Sequence, residues 1–148
     1  MIHEKFMRLA LKEAKKAAKK KEVPVGAVIV KNGKVIAKAH NLREKSNLAT
    51  GHAEILVIQK ANKKLKSWRL DRCTLYVTIE PCPMCAGAII QARLGNLVYG
   101  AQDLKSGAHQ SVVNLFDKTF NHKVDVEYGI MEEECGGIVT EFFHKLRK

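Results

Sequence analysis

The hydrophobic periodicity of this chain switches repeatedly between helical and strand spacing, and the order of the switches leaves few folds open. Phe6, Ala10, Ala14 and Ala17, joined by Met7, Leu11 and Ala18, form one stripe of a helix predicted over Glu4–Lys20, with Lys12, Lys15, Lys16, Lys19 and Lys20 on the other side. Val25–Val30 reads as an apolar strand. Asn32-Gly33 then signals a hairpin, because both central positions of the tight turn need positive φ, and Val35–Ala39 is the returning strand. His40–Gly51 reads as a polar loop and Ala53–Lys63 as a second helix. Cys73–Ile79 alternates and is rich in β-branched residues, which predicts a third strand. A helix over Pro83–Gly95, a strand over Asn96–Gly100, a loop and a strand over Val124–Ile130 follow. The last helix, Glu132–Arg147, must accommodate Gly136-Gly137 at a cost of about 1 kcal/mol each relative to Ala. This order predicts an α/β fold, a three-layer α/β/α sandwich with a central mixed five-stranded sheet.

The 148 residues fit one domain, residues 1–148, without room for a separate cofactor domain. A domain of this size buries about 70% of the surface its unfolded chain exposes, and a 46% hydrophobic content supplies a core, which excludes disorder as the main state. Lys plus Arg is 26 and Asp plus Glu is 15, a net charge of +11. Such an excess suits a polyanionic partner, with a merely solvated Lys-rich surface as the plain alternative. The longest stretch free of charged residues and His, Pro81–Ala92, falls well short of the ~20 residues of a membrane span. Met1–Ala14 carries Glu4, Lys5, Arg8, Lys12 and Glu13 and so lacks an apolar signal segment. A cytoplasmic location is expected, and there Cys82-x-x-Cys85 reads as a metal or redox site before it reads as a disulfide.

Two strings carry the chemistry, His52-Ala53-Glu54 and Pro81-Cys82-Pro83-Met84-Cys85, with Asn41 just upstream. Each ligand-type residue stands at the start of a predicted helix, where the helix dipole favours the thiolate that binds zinc. One His and two Cys make three protein ligands, the number a catalytic zinc uses when it keeps a position for water. Glu54, in the same turn as His52, is placed as a proton shuttle and not as a ligand. Two rival readings stand beside this. A thioredoxin-type redox dithiol gives His52 and Glu54 no role. A structural zinc site would recruit a fourth ligand such as Cys73 or His40. Cys135 reads as a small buried hydrophobe.

The H-x-E and P-C-x-x-C strings resemble the signature of the zinc nucleoside and cytidine/deoxycytidylate deaminase superfamily. The similarity extends along nearly the whole chain to the bacterial tRNA-specific adenosine deaminases. It runs through Glu22–Val28, Asn41–Glu44, Leu75–Cys82, Met84–Ala88, Tyr99–Ala108, Asn121-His122 and Glu141–Phe143. The resemblance implies a cytidine-deaminase-like fold and one Zn²⁺ per chain on His52, Cys82 and Cys85. It also implies hydrolytic conversion of a wobble adenosine, anticodon position 34, to inosine by zinc-activated hydroxide, with Glu54 moving the protons. Asn41, Asp103, Lys105, Asn121, His122, Phe142 and Phe143 are the implied substrate contacts, a tRNA anticodon stem-loop the implied partner, and a homodimer the implied assembly. No nucleotide cofactor and no membrane enter this reading. An unpaired anticodon base is cheap to swing into a closed pocket. Basic clusters at Lys60, Lys63, Lys64, Lys66 and Arg69, and at Lys145, Arg147 and Lys148, suit RNA. The alternatives are a deaminase of a free base or nucleoside (guanine, cytosine or cytidine), and a zinc-stabilised RNA-binding module with no use for Glu54. Asp103 reads equally as a turn cap from its residue type alone.

Overall fold

The central sheet grows from the predicted hairpin. The structure, a computed structural model, describes residues 2–147; Lys148 of the terminal basic cluster lies outside them. β1 (Gly26–Lys31) and β2 (Lys34–His40) pair antiparallel across a turn in which Asn32 and Gly33 take φ of 53° and 75°. β3 (Cys73–Ile79) runs antiparallel to β1 on its other side. β4 (Asn96–Ala101) and β5 (Asp125–Tyr128) add in parallel, giving the order β2-β1-β3-β4-β5. The sheet is mixed and five-stranded, as the element order requires.

The helices are α1 (Ile2–Lys19), α2 (Arg43–Ser46), α3 (Ala53–Leu65), α4 (Pro83–Gln91) and α5 (Glu132–Leu146). Strand alternation sorts the side chains into two cores. Ala27 and Ile29, Leu75 and Val77, and Leu97 and Tyr99 meet Ala53, Val57 and Ala61 of α3 and Ala86 and Ile89 of α4 on one face. Val28 and Val30, Tyr76 and Val98 meet Phe6, Met7 and Ala10 of α1 and Cys135 of α5 on the other. Burial of each large aliphatic side chain contributes roughly 1.5–3 kcal/mol. Cys135 is fully buried, in keeping with its plain reading.

Four boundaries differ from the periodicity. The segment 40–51 is not all loop: it holds α2, whose first N–H, that of Arg43, is accepted by the Asn41 side chain at 3.0 Å. α4 ends at Gln91 and not Gly95, because Arg93 turns left-handed with φ of 63°. β5 is shorter than Val124–Ile130: Gly129, with φ of 82°, leaves the strand line while its N–H still reaches the Gly100 carbonyl at 3.2 Å. α1 begins at Ile2, two residues ahead of Glu4. Gly136 and Gly137 lie within an unbroken α5. Tertiary packing overrides their low helix propensity.

Candidate active site

Two helix starts converge where β3 ends. His52 is the N-cap of α3, extended at φ −80° and ψ 150°, and Cys82 is the N-cap of α4, at φ −74° and ψ 172°. Pro83 follows at the first helical position, where its missing N–H costs nothing and its fixed φ suits the helix. Cys85 comes three residues later, on the first turn. The His52 Nδ1 lies 3.7 Å from the Cys82 Sγ and 3.5 Å from the Cys85 Sγ. A tetrahedral zinc with bonds of about 2.05 Å to N and about 2.3 Å to S sets N and S about 3.6 Å apart, so this donor set fits that ion. Among the described residues the cluster contains these three donors and no fourth.

The rival fourth ligands are elsewhere. Cys73 opens β3 at the opposite end of the sheet, and its thiol faces the Asp71 carbonyl at 3.6 Å. His40 is taken by Glu13 at 2.9 Å and by Lys20 at 3.0 Å. A thiol pair for redox exchange leaves the imidazole between the two sulfurs without a task.

The three donors and Glu54 are electrostatically linked, and the Cys82 thiol is the one brought to the thiolate that a metal binds. The Cys82 thiol, receiving hydrogen bonds from Cys85 and His52 against the opposing effect of burial, is brought down to about 4. The hydrogen bond to Cys82 raises the His52 imidazole, while the Cys85 thiol is pushed far up by its bond to Cys82 and by burial. Glu54, 4% exposed, is buried beside the three donors, and burial pushes its carboxyl up to about 7.

Above this floor opens a cleft of ≈ 180 Å³. One wall carries Asn41 and Arg43, the other Asp103 and Ser106, with Val23, Val25 and Ile79 as apolar lining. Asn41 also serves the turn: its Nδ2 donates to the Val23 carbonyl at 3.2 Å while its Oδ1 receives Arg43 N–H. Asp103 caps its own loop, accepting the N–H groups of Lys105 and Ser106 at 3.2 and 3.3 Å and the Ser106 hydroxyl at 2.7 Å. The turn-cap reading therefore holds, and the same side chain also lines the cleft.

The other expected contacts are not brought to it. Lys105 is exposed and outside the lining. Phe142 lies between α1 and α5 with Lys15, Lys19 and Lys145, and Phe143 is exposed beside it. Asn121 and His122 depart furthest from expectation: the His122 ring is 2.6 Å from the Leu94 carbonyl, just before β4 begins. That is the far end of the sheet, about 20 Å away at ~3.3 Å per strand residue. The long loop after β4 returns to start the parallel strand β5, and the return carries them there. The basic run is likewise displaced. Lys64 lies about 18 Å along α3 from His52 at 1.5 Å per residue, and Arg69 is paired with Asp71 at 2.9 Å.

Of the buried acids that the sequence did not single out, Glu80 and Glu22 hold the loops of the cleft. Glu80, 2% exposed, accepts N–H groups from Asp103, His109, Gln110 and Ser111 and the Ser111 hydroxyl. Burial works to raise its carboxyl, but these donors outweigh it and hold it below the ordinary carboxylate range. Glu22, 1% exposed, accepts the N–H groups of Glu44 and Lys45 at 3.1 and 2.6 Å. A signal existed for one of them: Glu80 is the sole charged residue from Cys73 to Ala92.

The comparisons with known proteins agree with this geometry. The family model for MafB19-like deaminases matches residues 1–147. A tRNA-specific adenosine deaminase of Bacillus subtilis is 53% identical over 98% of this chain and 91% of its own length. One from Aquifex aeolicus is 47% identical over 99% of this chain and 97% of its own. A solved structure from work on A-to-I editing by tRNA:A34 deaminases at the wobble position superposes with a TM-score of 0.87 at 49% identity. It covers 90% of this chain and 97% of that one. With three metal donors and a buried Glu at two helix starts, and with this identity along its whole length, the chain belongs to the tRNA-specific adenosine deaminases within the MafB19-like deaminase family.

Proposed function

We propose that residues 1–148 form a single zinc-dependent deaminase domain that converts the wobble adenosine of a tRNA anticodon stem-loop to inosine, with release of ammonia. The observation that carries the reading is Glu54, buried beside three metal donors but not one of them, at the floor of a cleft with polar walls. His52, Cys82 and Cys85 hold one Zn²⁺. When bound, zinc lowers the pKa of water from ~15.7 to about 7 and so makes a nucleophile available at neutral pH. Glu54 would take one proton from the attacking water and deliver it to adenine N1, then take the second from the hydroxyl formed at C6 and pass it to the departing amine, so that ammonia leaves and the C6 oxo group of inosine remains.

The walls hold the extruded nucleotide. With one N–H and one lone pair already engaged, the Asn41 amide retains one donor and one acceptor for the base or ribose. Asp103 has about four acceptor positions and three are filled, which leaves one for a ribose 2′-OH. Lys105, Phe142 and Phe143 lie outside the cleft, where they suit the flanking nucleotides; Asn121 and His122, farther off, suit a part of the tRNA more distant from the edited base. A homodimer fits the exposed apolar side chains of Val112 and Val113, next to the cleft loop, and of Phe120 farther along the chain. A cytoplasmic site of action fits the tRNA substrate, and no helix among the described residues is long and apolar enough to cross a membrane.

The test is product formation by zinc-loaded protein given an A34 anticodon stem-loop, free guanine and cytidine. Inosine from the stem-loop, with little turnover of the other two, is expected. Preferential turnover of guanine or cytidine would replace this reading with the free-base alternative.

A further inference from the structure

We propose that Glu22, behind one wall of the cleft, and Glu80, at the base of the other and part of the cleft lining, are positioning residues that fix the loops carrying Asn41 and Asp103 by collecting their backbone N–H groups. The inference deepens the deaminase reading and rests on it for its kinetic arm only. Among the described residues neither acid has a Lys or Arg side-chain partner. Glu80 instead gathers four backbone N–H groups and one hydroxyl: Asp103 at 3.0 Å and the Ser111 O–H at 2.5 Å on Oε1, and His109, Gln110 and Ser111 at 2.9, 2.8 and 3.1 Å on Oε2. These donors span the loop from Asp103 to Ser111, so one carboxylate sets the whole wall. The loop closes around it without slack: a Cβ on Gly107 would stand 2.4 Å from both carboxylate oxygens. Glu80 also adjoins Pro81-Cys82, and the Ala108 N–H reaches the Pro81 carbonyl at 2.8 Å. The loop is thereby fixed relative to the chain that carries Cys82.

Glu22 does the same on the other side. Its two oxygens receive the second and third N–H groups of α2, Glu44 and Lys45, while Asn41 receives the first, from Arg43. A helix of four residues has no stability of its own, so α2 and the Asn41 turn depend on these outside acceptors.

Charge and symmetry of the acceptor matter. In Glu80→Gln one oxygen becomes an NH₂ donor. In one orientation it faces three N–H groups, in the other it faces Asp103 N–H and the Ser111 hydroxyl. Either way donors are stranded, and the loop must open to reach water. Glu22→Gln strands one α2 N–H by the same logic.

The direct test is amide hydrogen exchange on the zinc-loaded protein. Glu80→Gln is expected to speed exchange across 103–111 about tenfold or more and to leave 41–46 unchanged. Glu22→Gln is expected to do the reverse. Ser111→Ala, which deletes one donor, serves as the mild variant should Glu80→Gln not fold, and is expected to give a smaller rise confined to 103–111. Unchanged exchange in the cognate loop, or equal loosening of both loops by either variant, overturns the inference whether or not the protein acts on RNA. The kinetic arm uses the stem-loop substrate: KM rises about tenfold in Glu80→Gln, with kcat within threefold and zinc content unchanged. Ser111→Ala should add nothing in the Glu80→Gln background. A parallel collapse of kcat and zinc would make Glu80 a support of the metal site and overturn the positioning role. A wild-type protein silent towards RNA but with the exchange pattern intact would instead count against the deaminase reading alone.

Discussion

The floor and the walls of the cleft are built by different means. The floor is two helix starts, His52 and Cys82 as N-caps with Cys85 and Glu54 on the first turns, each docked on a packed sheet face. The walls are loops whose geometry depends on acceptors distant in sequence: Glu22 for Glu44 and Lys45, Glu80 for Asp103 through Ser111. A position on a helix start is fixed by local backbone geometry and by burial of the helix behind it. A position on a loop is fixed by a few hydrogen bonds, each contributing about 1 kcal/mol, or about 1.5–3 kcal/mol when the acceptor is charged. The expectation is that damage to the floor removes chemistry, and damage to the walls loosens substrate and selectivity while chemistry persists.

The largest effect should come from the metal. Cys85→Ala removes one of three donors from a site that needs all three, so elemental analysis should find most of the zinc gone and turnover abolished. Full activity after complete metal removal would refute the role assigned to the floor. Glu54→Ala comes next: zinc and RNA binding should stay near wild type, while turnover falls by at least the ~10²–10⁴-fold that general acid–base catalysis contributes. Turnover close to wild type would assign the proton transfers to another group.

This division also explains what could be read in advance. The donor set and Glu54 were legible because helix starts put their ligands close together in the chain, at His52-x-Glu54 and Cys82-x-x-Cys85. The sheet was legible because the apolar run of β1 and the alternation of β3 are local, and Asn32-Gly33 marks the hairpin turn, though not the register shift between Ile29 and Val30. The walls were less so. α2 inside the segment 40–51 depends on a carboxylate about twenty residues upstream, and no periodicity reports a four-residue helix. Asn121-His122 sits in a long return between parallel strands, where the sequence pattern carries no signal for which end of the sheet the residues reach. Asp103 and Asn41 were placed by resemblance, and their double use as turn cap and cleft lining appears only in the hydrogen bonds.

A wall variant should alter selectivity. Asp103→Asn keeps the oxygen that receives Lys105 and Ser106 N–H but replaces the acceptor left for a 2′-OH by a donor. Discrimination between an RNA stem-loop and the DNA loop of the same sequence should fall about tenfold, the scale of one charged hydrogen bond. It is read as the ratio of the two kcat/KM values, wild type against variant. An unchanged ratio would return Asp103 to turn capping alone.

The smallest effect lies behind the Asn41 wall. Glu13, buried on α1, receives His40 at 2.9 Å and Lys16 at 2.7 Å, with Lys20 on the other His40 nitrogen at 3.0 Å. Burial raises its carboxyl, but the hydrogen bonds from His40 and Lys16 and the charge of Lys16 outweigh this and hold it below the ordinary value of 4.5. A depressed carboxylate contributes stability that is present above about pH 4.5 and is lost as pH falls through the lower folded value. The Tm gap between wild type and Glu13→Gln should therefore be full above pH 5 and close at lower pH. A gap independent of pH would show that the residue acts through packing.

The comparison of floor and walls comes to a point in one measurement: the single-turnover rate at saturating A34 stem-loop, with the half-saturating RNA concentration taken from the same titration, for wild type, Glu54→Ala and Asn41→Ala. Glu54→Ala should lose at least 10²-fold in rate with half-saturation near wild type. Asn41→Ala should require about tenfold more RNA and approach the wild-type rate once saturated. A Glu54→Ala protein that reacts at the wild-type rate, or an Asn41→Ala protein as slow as Glu54→Ala at saturation, would contradict the division of labour between a catalytic floor and substrate-holding walls.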